Sequence, residues 1–130
     1  MRRLLPLAVA LALAAPAAAA PPPPVSVADQ SMAESRADVE AGRRTFEAVT
    51  KGYLERIARH AGRLKAVIAV NPNAGGQAQR ADFVLANDRR SRAWRGTKGA
   101  LFGMPILIKD NIETLDPMAT TAGSLALAGN

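Results

Sequence analysis

One lysine stands directly after three bulky aliphatics, in the run Ile106-Leu107-Ile108-Lys109. A central strand here would carry the ammonium group toward a poorly solvated place. Desolvation disfavours the charged amine and lowers its pKa, and a neutral lysine is a general base able to take a proton from a hydroxyl. The same residues also fit a lysine at a strand end whose head reaches water or pairs with Asp110 or Glu113. Pattern alone favours that plainer role. The polar residues that follow divide in the same way. Asp110 and Asn111 are candidates to support an active-site loop, or they form an Asx-type turn. Thr120 and Thr121 are candidates to line a pocket, or they cap backbone groups. Gly103 and Pro105 fix the chain as it enters the aliphatic run.

These residues need elements to hold them. Ser26 followed by Asp29 resembles a capping box and predicts a helix over about Val27–Ala41, stopped by Gly42. Thr45 can cap a second helix with Glu47 in its first turn. The apolar stripe of that helix is Phe46, Val49, Tyr53, Ile57 and Ala61, at steps of three and four, and Gly62 is expected to end it. Ala66 to Val70 has the composition of a buried strand, and Asn71-Pro72-Asn73 is a turn signal. A third helix is expected over about Gln77–Arg92, with Ala78, Ala81, Val84 and Leu85 facing inward. Gly96 to Gly99 is a loop. Ile106 to Ile108 is a second strand, which Pro117 prevents from extending through the polar segment after Lys109. Helices alternating with apolar strands predict an α/β layer architecture. Two strands are too few for such a sheet, so the expectation is the beginning of a larger domain.

The chain has 130 residues, a formal net charge of +6 and a sequence pI near 10.8. Residues 1–20 follow the secretory pattern: Arg2 and Arg3, an apolar run from Leu4 to Ala15, then the small residues Ala18, Ala19 and Ala20. The apolar stretch is short for a spanning helix and Pro6 and Pro16 interrupt it, so no permanent membrane anchor is expected. Residues 21–25 are a proline-rich linker, an extended spacer. Export to the periplasm or the medium follows. With no cysteine there is neither a disulfide nor a thiolate metal site. His60 is the one histidine and cannot build a His-based metal site; no cofactor and no metal are expected. Glu34, Arg36, Asp38, Glu40, Arg43 and Arg44 alternate in sign as on a solvated helix face. With aromatics at 4% and no recognised nucleic-acid module, nucleic acid is not an expected partner.

From about Val25 to Asn130 the chain resembles the start of the amidase signature family. The match runs in order through Gly42…Thr45…Tyr53-Leu54-Glu55-Arg56-Ile57, Leu64-Lys65-Ala66-Val67 with Asn71-Pro72, and Ala81-Asp82…Asp88. It is closest in Leu101-Phe102-Gly103-Met104-Pro105-Ile106-Leu107-Ile108-Lys109-Asp110-Asn111, followed by Thr120-Thr121-Ala122-Gly123-Ser124. Residues 117–127 and the leader are most similar to exported bacterial peptide amidases. The resemblance implies an α/β/α fold, a mixed central sheet between helix layers, of which residues 26–130 supply the N-terminal helices and first strands. It implies hydrolysis of C–N bonds other than peptide bonds by a Ser–cis-Ser–Lys mechanism, acting on a small amide or a C-terminally amidated peptide. Lys109 takes the lysine's place; Asp110, Asn111, Thr120 and Thr121 are its candidate supports. No Gly-Gly-Ser-Ser-Gly-Gly-like run exists in the 130 residues, and Ser124 is expected to be structural. The chain is therefore expected to be a fragment, inactive by itself. The alternatives are a non-catalytic remnant of a truncated amidase gene and a basic binding module.

Overall fold

The computed structural model describes residues 26–91 and 98–129. The expected leader and linker, Arg92 and the first part of the Gly96–Gly99 loop lie outside them. Three helices follow in order: α1 (Met32–Glu40), α2 (Phe46–Leu64) and α3 (Ala74–Ser91), with a 3-10 turn at Leu125–Leu127.

The first helix begins later than the sequence predicts. Its cap is Ser31, whose hydroxyl accepts from Glu34 N while the Glu34 carboxylate accepts from Ser31 N at 2.8 Å. Ser26 and Asp29 offer the same spacing, but aspartate is one methylene shorter than the glutamate that closes this reciprocal pair. The second helix starts where expected. Thr45 Oγ1 accepts from Ala48 N at 3.0 Å. It runs past Gly62 to Leu64, because Lys65 takes the left-handed conformation (φ 46°) and donates its N–H to Ala61. The third helix begins three residues before Gln77, at Ala74.

The core sits where α2 packs on α3. It consists of Val39, Phe46, Val49, Ala78, Ala81, Leu85 and Met104, with Tyr53 and Phe102 packed against it. Val84, expected inside, is half-buried. Two side chains of α3 also close the ends of its neighbours. The Asp82 carboxylate accepts from Phe46 N (2.8 Å) and Glu47 N (3.0 Å), so these first N–H groups of α2 find a tertiary partner and a negative charge. Two turns further along α3, Arg89 donates to the carbonyls of Val39 and Glu40, both at 2.7 Å, placing a cation at the C-terminal end of α1.

Neither predicted strand is present among the described residues. Ala66–Val70 and Ile106–Ile108 form no ladder, and Ile68 lies in a bend. A strand is defined by its ladder, and β-type composition alone cannot provide one. In consequence Ile68, Ile106 and Leu107 are exposed, the last at 78%.

Candidate functional site

The motif containing Lys109 enters from the core. Gly103 has φ +72°, and a Cβ at this position would lie 2.6 Å from Cδ2 of Phe46. Glycine is required here on both counts, backbone conformation and space. Phe102 meets Phe46 edge-on, with ring centroids 5.8 Å apart, and Met104 is buried beside them. The chain then leaves the core through Pro105 and the exposed aliphatics.

Lys109 itself is exposed, and none of the ion pairs among the described residues involves it. The dry surroundings that a central strand would give it are not built by these residues. Its carbonyl accepts from Ile112 N at 2.9 Å, which makes 109–112 a tight turn. Asn111 lies exposed on that turn.

Asp110 and Thr121 are brought together. The Asp110 carboxylate accepts from Thr121 N at 3.0 Å and from the Thr121 hydroxyl, and the Asp110 carbonyl accepts from Ala122 N at 3.1 Å. The Thr121 hydroxyl, chiefly, and the Thr121 amide hold the Asp110 carboxyl below the ordinary aspartate value. Ala122 and Gly123 adopt positive φ (48° and 79°), which turns the chain so that this closure can form. Residues 111–120 thus make an excursion whose two ends are tied by Asp110 and Thr121. Thr120 is half-buried and lines an open depression with Glu113, Thr114, Asp116, Met118 and Ala119. Ser124 accepts from Ala126 N and caps the 3-10 turn. A second tether, Gln77 Nε2 to Asp116 Oδ1 at 2.6 Å, fixes the excursion to the start of α3. Sequence reading misses it, since nothing marks two polar residues 39 positions apart as partners.

The site is therefore a clamped loop bearing an exposed amine. The Amidase family model matches residues 48–130, which takes in α3, the whole Lys109 motif and the clamp. The chain is similar to a probable amidase of Arabidopsis thaliana, 36% identical over 107 residues, covering 81% of this chain and 20% of that protein. It is likewise 37% identical over 95 residues to a glutamyl-tRNA(Gln) amidotransferase subunit of Chlorobium phaeobacteroides, covering 73% of this chain and 18% of the relative. Among solved structures, the peptide amidase of Stenotrophomonas maltophilia aligns with a TM-score of 0.65 and 42% identity over 78% of this chain and 20% of that one. The chain belongs to the Amidase family. It spans about a fifth of the length of these relatives.

Proposed function

We propose that residues 26–130 are the N-terminal part of an amide-hydrolysing domain and that Lys109 is its general base. The substrate class is a small amide or a C-terminally amidated peptide. What supports this reading is the position of Lys109 within the matched segment: it stands immediately before the Asp110–Thr121 clamp, which fixes the turn carrying the lysine. The likeness to a peptide amidase supports the substrate class, as does the binding of the competitive inhibitor chymostatin to a related peptide amidase. In the mechanism that the family resemblance implies, Lys109 takes a proton from a cis-serine, which relays it from the serine that attacks the amide carbonyl. Asp110 and Thr121 hold the lysine's turn, Asn111 stands on it, and Thr120 precedes Thr121 at the other end of the clamp.

The 130 residues contain no Gly- and Ser-rich run to supply a serine pair, so the lysine is tested where serines are present. The matching fifth of the Stenotrophomonas peptide amidase is replaced by the aligned residues of this chain, and release of ammonia from a C-terminally amidated peptide is measured. The chimaera is expected to turn over. Lys109→Ala in it lowers kcat by about 10²–10⁴-fold, the ordinary contribution of general-base catalysis, with its circular dichroism unchanged. Retention of activity within a few-fold would assign Lys109 the plain role of a solvated lysine.

A further inference from the structure

The segment that leads into the Lys109 motif is fastened to all three helices, and two of the fastenings are made by cations. Residues 99–104 form two consecutive turns: Phe102 N donates to the Gly99 carbonyl at 3.0 Å and Met104 N to the Leu101 carbonyl at 3.1 Å. The second helix holds them through the edge-on Phe46–Phe102 ring pair. The first holds them through Arg36, whose Nη1 donates to the Gly99 carbonyl at 2.7 Å while its Nε pairs with Glu40 at 2.7 Å. The third holds them through Asp88, whose Oδ2 lies 3.5 Å from Lys98 Nζ.

Lys98 is not placed like an ordinary surface lysine. Its ammonium also stands 5.3 Å from the centre of the Phe102 ring, within the range of cation–π attraction. The side chains of Lys98 and Asp88 are only 28% and 22% exposed. Asp88 Oδ2 is buried and accepts no hydrogen bond, so the charge that answers it is the Lys98 ammonium. Exposed ion pairs constrain little, but a buried carboxylate oxygen left without any partner is costly, which keeps this cation in place. The ring pair sets where Phe102 stands against α2, and the ammonium shared by Asp88 and the ring ties the same residue to α3.

We propose that Lys98 is a positioning residue for Lys109, acting through Phe102 and the two turns; the inference rests on the reading of Lys109 as a base. Met104 is the last residue of the core along the chain. Lys109 stands five positions further on, at most about 17 Å away. A tilt of about 10° at the base of such an arm moves its far end by about 3 Å, and about 1 Å of misplacement is enough to slow a reaction about 100-fold.

Two measurements test this. The full chain has three phenylalanines, so labelling it with fluorophenylalanine gives a short fluorine NMR spectrum in which Phe102→Tyr assigns the Phe102 signal. Lys98→Gln is expected to move that signal and to leave the signal of Phe83 in place, and added salt is expected to move the parent signal the same way. In the peptide amidase chimaera, Lys98→Gln lowers kcat about 10–100-fold with KM changed less than about twofold. Lys98→Arg restores kcat, because a guanidinium also pairs with a carboxylate and stands over a ring. Asp88→Asn gives the same fall, and the two changes together are no worse than either. The proposal is overturned by an unmoved Phe102 signal, by a fall that Lys98→Arg does not restore, or by a fall in kcat matched by loss of helical circular dichroism, which would make the role structural only. An unchanged kcat in Lys98→Gln, where Lys109→Ala still lowers it, overturns this proposal alone. Silence of Lys109→Ala overturns the reading of the base and leaves Lys98 nothing to position.

Discussion

Replacing Gly103 with alanine strikes the point where the Lys109 motif is fastened to the helical core. Two costs are separable. At φ +72° an L-residue loses about 1–2 kcal/mol against its preferred backbone. The new methyl also lands 2.6 Å from the Phe46 ring, and that ring has little freedom to withdraw: it is 1% exposed and wedged edge-on against Phe102. Overpacking of this kind costs about 1–3 kcal/mol. The sum, about 2–5 kcal/mol, is a large part of the roughly 5–15 kcal/mol that stabilises an ordinary domain, and a core of this size belongs at the low end. Urea titration followed by helical circular dichroism, with hydrogen exchange at the Val49 and Thr50 amides, reads the effect. The midpoint is expected to fall sharply and protection at those amides to drop. In a Phe46→Leu background the steric part is relieved and only the backbone part, about 1–2 kcal/mol, remains. Gly76→Ala is the control, because a Cβ there meets nothing and alanine favours the helix. The reasoning fails if Gly103→Ala is no more disruptive than Gly76→Ala. An undiminished cost in the Phe46→Leu background would remove the steric half of it.

Asp82→Ala is expected to destabilise α2 by about 1–3 kcal/mol, because it withdraws the partner of two helix-start N–H groups and a charge complementary to the helix dipole; a urea midpoint within error of the parent chain would show that water replaces the carboxylate fully. The clamp predicts a pH dependence with a defined sign. Since Asp110 has a lowered pKa in the folded chain, its contribution is present above the unfolded aspartate value of about 3.9 and is lost as pH falls through the lower folded value. Carboxyl NMR should place the Asp110 titration below the ordinary range, and Thr121→Val should raise it; an unchanged titration in that variant would remove Thr121 as the cause.

The elements legible in the sequence were those whose signals are local. Thr45 with the stripe Phe46, Val49, Tyr53 and Ile57 defines α2 within one stretch of chain, and the structure places the cap and the first buried residues accordingly. Ala78, Ala81 and Leu85 define the inner face of α3 in the same way. Local signals also compete. Ser26…Asp29 and Ser31…Glu34 carry one spacing, and the reach of the longer acid decides between them. Gly62 looks like a stop, yet Lys65 takes the left-handed position instead. The strands were illegible for a different reason. Ala66–Val70 and Ile106–Ile108 have strand composition, but a ladder depends on a neighbour that composition does not specify. Asp82 capping α2, Arg89 closing α1 and Gly103 yielding to Phe46 span 36, 50 and 57 positions, beyond the range of any periodicity or capping rule.

One distance along the chain bears on how the candidate site can work. Met104 is the last buried residue among those described, and Lys109 follows five positions later through Pro105 and exposed aliphatics. The core therefore orients the entrance of the motif, while the Asp110–Thr121 clamp closes its exit. Neither provides walls around the amine between them. A lysine acts as a base only where burial favours its neutral form and a hydroxyl stands within reach. If Lys109 is the base proposed above, its walls and hydroxyls are supplied by residues other than these, and the same residues would cover Ile106, Leu107 and Ile108. This is why the chimaera is the discriminating experiment: it tests Lys109 within the full length of a similar peptide amidase. If Lys109→Ala is silent there, the clamp holds a turn and nothing more.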